Sequence, residues 1–488
     1  MALCTARAIL GLFNASALMS YASGVRRAYG HTTAIWYLLF QASQFHILYY
    51  ASRTLSNMFA FGLSTLALRA LLPEPALPAG AYRNRCRLAL CLLTVAGIIF
   101  RSELALFLAT HTLFLLVTGR ASLPREIIPA GILGLVIGLA STISVDSFFW
   151  QQFPLWPELA AFKFNVVSGQ ASAWGTQPWH FYFSNAIPRL LLNPATYLLC
   201  IPLALIQPAT RAATSFLLVP SLAFVALFSL QPHKEWRFVL YAVPALTAAA
   251  ALGASYLWTH RGKSLIYRLF AFAMLLSPFV SFALSTFVLL PSSAANYPGA
   301  YALHALHNNH ASAISNTNPS TPEVSVYLGN LACQTGITRF LEIPPLEPTT
   351  KWKYDKTENE TIKASSSFWA QFDYILIEPS GPEESTLQSL SKADTASDSD
   401  PTLDSGLRWE DVQAIDGFAG VRVVRPGEEA RGSVEEGVLR SITGNSNSSQ
   451  WVVRVWEEGR AFARRVLTRG WWVELRMEPK IKIMRRVW

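Results

Sequence analysis

The densest cluster of ionisable residues between apolar segments is the octapeptide at residues 231–238, QPHKEWRF. It contains His233, Lys234, Glu235 and Arg237, with a long apolar segment on each side. Ionisable groups at membrane depth cost free energy, so they normally pair, and by default they mark a functional site. A lysine offers a point charge to phosphate oxygens and an arginine offers a planar fork, and a glutamate can hold either in place. The cluster therefore predicts a phosphate-binding site, and the alternative is an interfacial anchor that fixes helix depth.

Further charged residues lie in other short connections between apolar segments. Arg101 and Glu103 flank one serine and are candidates for an ion pair, and Arg53 is a third cation. Each alone is more typical of a structural contact, but together with the first cluster they predict a basic pocket suited to the phosphate of a membrane lipid.

Asp146 begins an aromatic segment, residues 146–180, that is rich in tryptophan, phenylalanine and proline. Aromatic side chains of this kind settle at a membrane interface. One interpretation is a platform for a lipid-borne substrate, since tryptophan faces also stack on sugars. The other is a re-entrant helix that only packs.

The elements that must position these residues are hydrophobic helices. The chain has 488 residues, of which 51% are hydrophobic and 15% charged, against about 25% charged in a soluble domain. The charges are sparse up to about residue 290 and ordinary from Pro291 onward. This predicts a multi-span membrane domain over residues 1–290 and a water-facing domain over residues 291–488, with an acidic, serine- and aspartate-rich linker at about 380–405.

A spanning helix needs about 20 mostly apolar residues, and the hydropathy pattern predicts about ten spans. They centre on residues 8–20, 34–50, 58–72, 88–100, 104–118, 127–143, 190–206, 216–230, 238–258 and 269–290. In the second domain, residues 323–328, 372–378 and 420–424 are typical of short strands. Residues 473–483 alternate between apolar and charged, which predicts a half-buried strand.

The connecting loops alternate in charge and so predict the orientation. Arginines and lysines concentrate in every second loop, and by the positive-inside rule these loops face the cytosol. They contain Arg26 and Arg27; Arg83, Arg85 and Arg87; Arg120 and Arg125; Arg211; and Arg261 and Lys263. The loops with the candidate site residues, and the second domain, then lie together on the opposite, lumenal side.

Two classes of function are disfavoured. The net charge of +9 would suit nucleic acid, but much of it lies in topology-setting loops and no basic groove interleaved with aromatic residues is visible. The five cysteines have no metal-like spacing and the lumenal loops contain no Asp-x-Asp motif. We therefore expect no nucleic acid, no metal and no cofactor.

The segment PHKEWRF, followed by an apolar span, resembles the His-Lys-Glu-x-Arg-Phe signature of glycosyltransferase family 22. Several other stretches resemble the branch of that family that forms an α-1,6 bond in N-glycan precursor assembly. They are residues 7–15, 41–63, 97–106, 145–175, 328–340 and 469–483. The resemblance implies an all-α polytopic membrane domain of the GT-C type and a small mixed α/β lumenal domain, in the endoplasmic reticulum membrane.

The resemblance also implies the chemistry. Mannose is transferred with inversion from dolichyl-phosphate mannose to dolichyl-diphosphate-linked Man7GlcNAc2, so the partners are two dolichol lipids and the membrane. Family members begin with a further helix and a first lumenal loop that bears the acid thought to act as base, and this sequence shows no counterpart of either. The resemblance therefore predicts a chain that starts after them and has little activity alone, with its catalytic residue unassigned. The other lumenal acids that remain as candidates are Glu103, Asp146, Glu158 and Glu235.

Three other functions stay open from the sequence. A mannosyltransferase of glycosylphosphatidylinositol anchor assembly would share the signature and the fold. A transporter of lipid-linked sugars would show internal repeats and charges near mid-membrane, whereas here no repeat is found and the polar residues cluster at one surface. A non-enzymatic membrane scaffold would not need several cations on one face.

Overall fold

A computed structural model describes residues 2–74, 78–169, 171–172, 175–314, 323–343, 351–396, 408–428, 447–466 and 468–487. The chain divides into two compact units, Met1–Thr286 and Phe287–Trp488. The division falls inside the last apolar segment predicted from the sequence, residues 269–290. Each unit has its own hydrophobic core.

The N-terminal unit is built from helices. In chain order they are α1 (Ala2–Tyr29), α2 (His31–Ala42), α3 (Phe45–Tyr50), α4 (Ser56–Leu71), α5 (Ala79–Ile99), α6 (Leu104–Val117), α7 (Ile128–Trp150), α8 (Pro157–Phe162), α9 (Ile187–Leu191), α10 (Ile201–Ile206), α11 (Pro208–Phe228), α12 (Val243–Thr259) and α13 (Leu265–Leu284). Helices that are apolar on every side are typical of segments surrounded by other helices or lipid. The unit is therefore a helical membrane domain, as the sequence predicts.

All ten predicted apolar segments are helical, but they differ in length. Within the described residues, five helical segments are long and apolar enough to cross a membrane alone, and a sixth is a pair bent by 116° between Leu191 and Thr196. The others fall short for visible reasons. The second segment divides into α2 and α3 around Ser43 and Gln44. Helices α4 and α6 have 16 and 14 residues, and the first nine residues of α5 include three arginines. The chain is a multi-pass membrane protein, with fewer full-length spans than hydropathy predicts.

Helix α12 is the centre of this unit. Its residues from Val243 to Ala254 are buried throughout, and most of them are small. Small residues let helix backbones approach closely, and the approach is closest at Gly253. A Cβ atom there would lie 1.9 Å from the carbonyl oxygen of Cys200. The helix is therefore a rigid support for the loop that precedes it, residues 229–242.

The C-terminal unit is a layered α/β domain. Its strands are β1 (Glu323–Leu328), β2 (Lys351–Asp355), β3 (Tyr374–Ile377), β4 (Arg408–Val424) and β5 (Trp472–Val487), in the sheet order β2-β1-β3-β5-β4. The first three are parallel, and β5 runs antiparallel to both β3 and β4. Its helices are α14 (Leu290–Ala294), α15 (Pro298–Ile314), α16 (Asn330–Gln334), α17 (Glu360–Lys363), α18 (Ser366–Trp369), α19 (Pro382–Ala396) and α20 (Asn447–Val466).

Alternating side chains of this sheet enter two different cores. Val324, Val326 and Ile483 pack with Leu303 of α15 on one face. Tyr327, Ile375 and Ile377 pack with Trp369 and Leu387 on the other. All four strand segments predicted from the sequence are strands, and the alternation at residues 473–483 belongs to β5.

The acidic linker predicted at about 380–405 is only partly tested. Residues 382–396 form α19 rather than an extended linker. Leu387 of this helix is buried in the second core. This apolar contact stabilises the helix, although the composition of the segment is mostly polar. Residues 397–405 lie outside the described part of the chain.

Candidate active site

A cavity of about 590 Å³ lies in the N-terminal unit, where three connecting segments meet. The first joins α5 to α6, the second is α8 with its continuation to Val167, and the third follows α11. The lining residues are Arg101, Ser102, Glu103, Ala105, Leu106, Glu158, Ala161, Phe162, Asn165, Val166, Ala171, Phe228, Gln231, His233, Glu235, Arg237 and Phe238. All three segments belong to loops that the sequence predicts to share one side of the membrane. Five of the eight predicted site residues line the cavity: Arg101, Glu103, His233, Glu235 and Arg237.

Arg101 and Glu103 form one wall of the cavity. The Arg101 Nε donates to both carboxylate oxygens of Glu103, at 2.9 and 3.1 Å. Glu103 is only 7% exposed and also accepts hydrogen bonds from Asn57 (3.0 Å) and from the Tyr241 hydroxyl (3.1 Å). Burial opposes the charge of Arg101, but the neighbouring carboxylate of Glu103 outweighs it and raises the pKa of the guanidinium. Glu103 thus serves to hold Arg101 in place.

His233, Glu235 and Arg237 form another part of the cavity lining. The Glu235 carboxylate accepts a hydrogen bond from Arg237 Nε and lies 3.1 Å from His233 Nε2. Burial favours the neutral acid, but the contacts with Arg237 and His233 outweigh it and lower the pKa of Glu235. Glu235 therefore stays ionised and orients both neighbours. The arrangement repeats that of Arg101, because each arginine donates to its glutamate through Nε and, among the described residues, makes no hydrogen bond through its two Nη groups.

Lys234 does not line this cavity, although the sequence places it with the phosphate ligands. Its side chain is buried, and its Nζ donates to the main-chain carbonyls of Gln231 (2.5 Å) and Gln177 (3.0 Å). Burial lowers the pKa of this ammonium. His233 Nδ1 lies 3.0 Å from the carbonyl of Gly175, so both side chains fasten the loop at residues 175–177 to the loop at residues 231–235. Lys234 has the geometry of a positioning residue.

Arg53 and Asp146 also lie away from the cavity lining. Arg53 donates to the Tyr49 hydroxyl (2.7 Å) and stands over its ring. The adjacent Tyr50 ring packs 4.8 Å from the ring of Trp236, so the segment at residues 49–53 contacts the segment at residues 231–238 outside the cavity lining. Asp146 accepts a hydrogen bond from Thr142, one turn earlier in α7. The position of Asp146 next to an aromatic loop in the sequence did not by itself indicate that its side chain lines the cavity.

Glu158 is one of the four candidate acids named from the sequence, although it was not among the predicted substrate-binding residues. It is the second residue of α8, and residues 158, 161, 162, 165 and 166 line the cavity at the spacing of one helical face. One carboxylate oxygen accepts from the main-chain amide of Ser102 (2.9 Å). Burial raises the pKa of the Glu158 carboxyl, and that hydrogen bond only partly offsets it. The helical spacing of these lining residues could have indicated from the sequence that Glu158 faces a site. The many aromatic residues of the same segment obscured that spacing.

The cavity can therefore hold an amphiphilic anion. Arg101 and Arg237 present cationic donors, and charge-assisted contacts of this kind are strong. Leu106, Phe162 and Phe228 add an apolar wall. Of the three acids that line it, Glu103 and Glu235 are held by arginines, whereas Glu158 is held by a backbone amide. Glu158 is thus the acid best placed to accept a proton or a sugar hydroxyl.

No group of three or more metal-ligating side chains occurs among the residues that the structure describes. The absence of a metal and of a cofactor stays a prediction from the sequence. The described part of the candidate site consists of charged, uncharged polar, aromatic and aliphatic side chains, and Trp174 of the aromatic segment lies outside the described residues.

The helical domain corresponds to a known family of membrane enzymes. The chain belongs to the Alg9-like mannosyltransferase family, whose model matches residues 1–342.

One relative is the probable Dol-P-Man:Man(7)GlcNAc(2)-PP-Dol alpha-1,6-mannosyltransferase of Schizosaccharomyces pombe, 35% identical over 383 residues. The alignment covers 77% of this chain and 63% of the relative, so the chain spans less than two thirds of that protein's length. A shorter match, 34% identical over 123 residues, is to GPI mannosyltransferase 3 of Candida albicans, and covers 25% of this chain and 23% of that protein.

Among solved structures, the chain is similar to ArnT from Cupriavidus metallidurans bound to undecaprenyl phosphate. The TM-score is 0.50 at 15% identity, over 85% of this chain and 82% of that one. The fold is accordingly the GT-C type, an all-α polytopic membrane domain followed by a small mixed α/β domain.

Proposed function

We propose that this protein is a mannosyltransferase of N-glycan precursor assembly in the endoplasmic reticulum membrane. It takes mannose from dolichyl-phosphate mannose and forms an α-1,6 bond to dolichyl-diphosphate-linked Man7GlcNAc2. The observation that carries the proposal is the pair Arg101 and Arg237 at one cavity, each fastened through Nε to a glutamate. A lipid phosphate beside an apolar wall is the ligand that such a cavity suits.

In this proposal the arginines stabilise the leaving group. The acceptor hydroxyl attacks the anomeric carbon, the bond from that carbon to the phosphate oxygen breaks, and dolichyl phosphate leaves with its added negative charge. Fixed cations aimed at developing charge lower the barrier without reorganising. Because Glu103 and Glu235 hold both guanidinium groups before the lipid binds, little ordering remains to be done at the moment of reaction.

The acceptor proton must go to a base, and general-base help contributes about 10²–10⁴-fold in rate. Glu158 is the best placed carboxylate among the described residues, since it lines the cavity without an arginine bound to it. Its raised pKa also makes it a better proton acceptor than an ordinary carboxylate.

The α-1,6 assignment is supported by the name and the extent of the Schizosaccharomyces pombe relative, which aligns over 77% of the chain. The match to the GPI mannosyltransferase is confined to 25% and gives that alternative less support. A lumenal location of the site follows from the positive-inside rule applied to the sequence.

Ligand binding tests this proposal without requiring turnover. The purified protein in lipid nanodiscs is expected to bind radiolabelled dolichyl-phosphate mannose, and unlabelled dolichyl phosphate should compete whereas GDP-mannose should not. Photo-crosslinking to the Man7 lipid should exceed crosslinking to a mannosylated glycosylphosphatidylinositol precursor. Binding of GDP-mannose in preference to the lipid donor would overturn the donor assignment, and preference for the glycosylphosphatidylinositol precursor would overturn the acceptor assignment.

A further inference from the structure

Helix α20 (Asn447–Val466) carries an exposed apolar stripe in the C-terminal unit. Trp451, Val455, Phe462 and Val466 are 61, 58, 57 and 51% exposed. At 3.6 residues per turn these four side chains fall within a sector of about 60°. Single exposed apolar residues are ordinary, but four of them aligned along one helix mark an interaction surface.

The opposite side of α20 attaches the helix to its own domain. Arg464 Nε donates to the carbonyl of Gly470 (3.0 Å), and its Nη2 donates to the carbonyls of Arg425 (3.2 Å) and Glu428 (2.5 Å). Around the helix axis, Arg464 lies about 190° from the centre of the stripe. The hydrogen bonds that hold α20 in place therefore direct the stripe away from the segments after β4 and before β5 to which the helix is attached.

We propose that α20 is an interfacial helix, with its stripe in the headgroup region of the same phospholipid bilayer that the N-terminal helices span. A long amphipathic helix with tryptophan and phenylalanine on one face and arginines beside them is typical of such helices. Because the chain is already anchored in a bilayer, this surface is the partner with the highest effective concentration.

The charges beside the stripe select lipid phosphate as the polar partner. Arg454 and Arg465 are exposed along one edge of the stripe, and Glu458 shares that edge. The edge is thus net positive, and guanidinium groups form charge-assisted hydrogen bonds with phosphate oxygens. Trp451 lies at one end of the stripe, and tryptophan prefers the level of the lipid headgroups.

A fluorescent amino acid introduced singly into the full chain by amber suppression measures the surroundings of each position. Val455 and Phe462 lie in the stripe, and Ala461 is the matched control, because it is exposed on the same helix but about 110° away. The protein is placed in nanodiscs of phosphatidylcholine and phosphatidylserine. One quencher is brominated phosphatidylcholine, which acts from the acyl chains, and the other is acrylamide, which acts from water.

The expected result is strong quenching by brominated lipid and weak quenching by acrylamide at positions 455 and 462, with the reverse at position 461. Equal acrylamide quenching at all three positions overturns the proposal, because the stripe would then be in water. Protection from both quenchers at 455 and 462 also overturns it, because a protein would then cover the stripe.

A second variant tests the charges while leaving the stripe intact. Arg454→Glu together with Arg465→Glu is expected to lower quenching by brominated lipid severalfold at position 462, and the change should be larger with phosphatidylserine than with phosphatidylcholine alone. Unchanged quenching in both lipid mixtures would refute the role of lipid phosphate.

Discussion

Removal of Arg237 tests the proposed phosphate site most directly. Its Nε is bound to Glu235, so the groups left for a ligand are the two Nη atoms. A hydrogen bond to a charged group contributes about 1.5–3 kcal/mol, so Arg237→Ala should weaken binding of dolichyl-phosphate mannose by roughly 10- to 150-fold. The measurement is the equilibrium dissociation constant of the radiolabelled lipid with the protein in nanodiscs.

The contact between Arg237 and Glu235 also predicts how substitution of Glu235 changes the loss of lipid affinity caused by Arg237→Ala. Without Arg237, the Glu235 carboxylate loses its arginine partner, keeps the contact with His233 Nε2 at 3.1 Å, and repels the phosphate from the cavity. Arg237→Ala combined with Glu235→Gln should therefore bind the lipid more tightly than Arg237→Ala alone, although more weakly than the wild type. Such a cycle isolates the coupling between the two residues.

Arg53→Ala is the matched control, since Arg53 is an arginine of the same unit outside the cavity lining. It should change the dissociation constant by less than about threefold, the size of an indirect effect. If Arg53→Ala weakened binding while Arg237→Ala did not, the ligand would lie elsewhere and the assignment of this cavity would be wrong.

Three further substitutions test the chemistry and the packing. In an assay of mannose transfer, the rate should rise with pH through the raised pKa of Glu158, because the base must be ionised. Glu158→Gln should remove that dependence and lower the rate at least about tenfold. Gly253→Ala should destabilise the N-terminal unit by about 1–3 kcal/mol, because its Cβ meets a main-chain carbonyl; the melting temperature in detergent should fall, whereas Gly262→Ala, with no atom within 4 Å of its Cβ, should not change it. Lys482→Met should cost the C-terminal unit about 1 kcal/mol at neutral pH, since Lys482 donates to Glu384 at 2.8 Å.

The pH dependence of that last effect has a defined sign. The hydrogen bonds from Lys482 and from the Ser380 amide lower the pKa of Glu384 in the folded protein. The stabilisation is therefore present above the ordinary carboxyl pKa and is lost as the pH falls through the lowered value. Hydrogen exchange of β5 should show a difference between Lys482→Met and the wild type at neutral pH that shrinks under acid. A difference that grows under acid would contradict the contact, as would an equal effect of Lys480→Met.

Much of this protein follows from local pattern. Long apolar segments separated by charged loops predict the helical membrane domain, because backbone groups in lipid must be satisfied within each helix. The alternation from Val473 to Ile483 predicts β5, because strand side chains point to opposite faces in turn. The signature PHKEWRF predicts both the family and one wall of the cavity, since His233, Glu235 and Arg237 are close in sequence and pair with one another.

The direction of each side chain was decided only by the tertiary structure. Lys234 lies within the signature, yet its Nζ donates to the carbonyls of Gln177 and Gln231, because the loop at residues 175–177 packs against the loop that contains Lys234. Glu158 is separated by more than fifty residues from Ser102, whose amide holds it at the cavity. Sequence pattern determines which residues are charged and which elements they follow. Which charged residues meet at the cavity depends on how helices distant in the chain pack together, and the periodicity of a single segment contains no information about that packing.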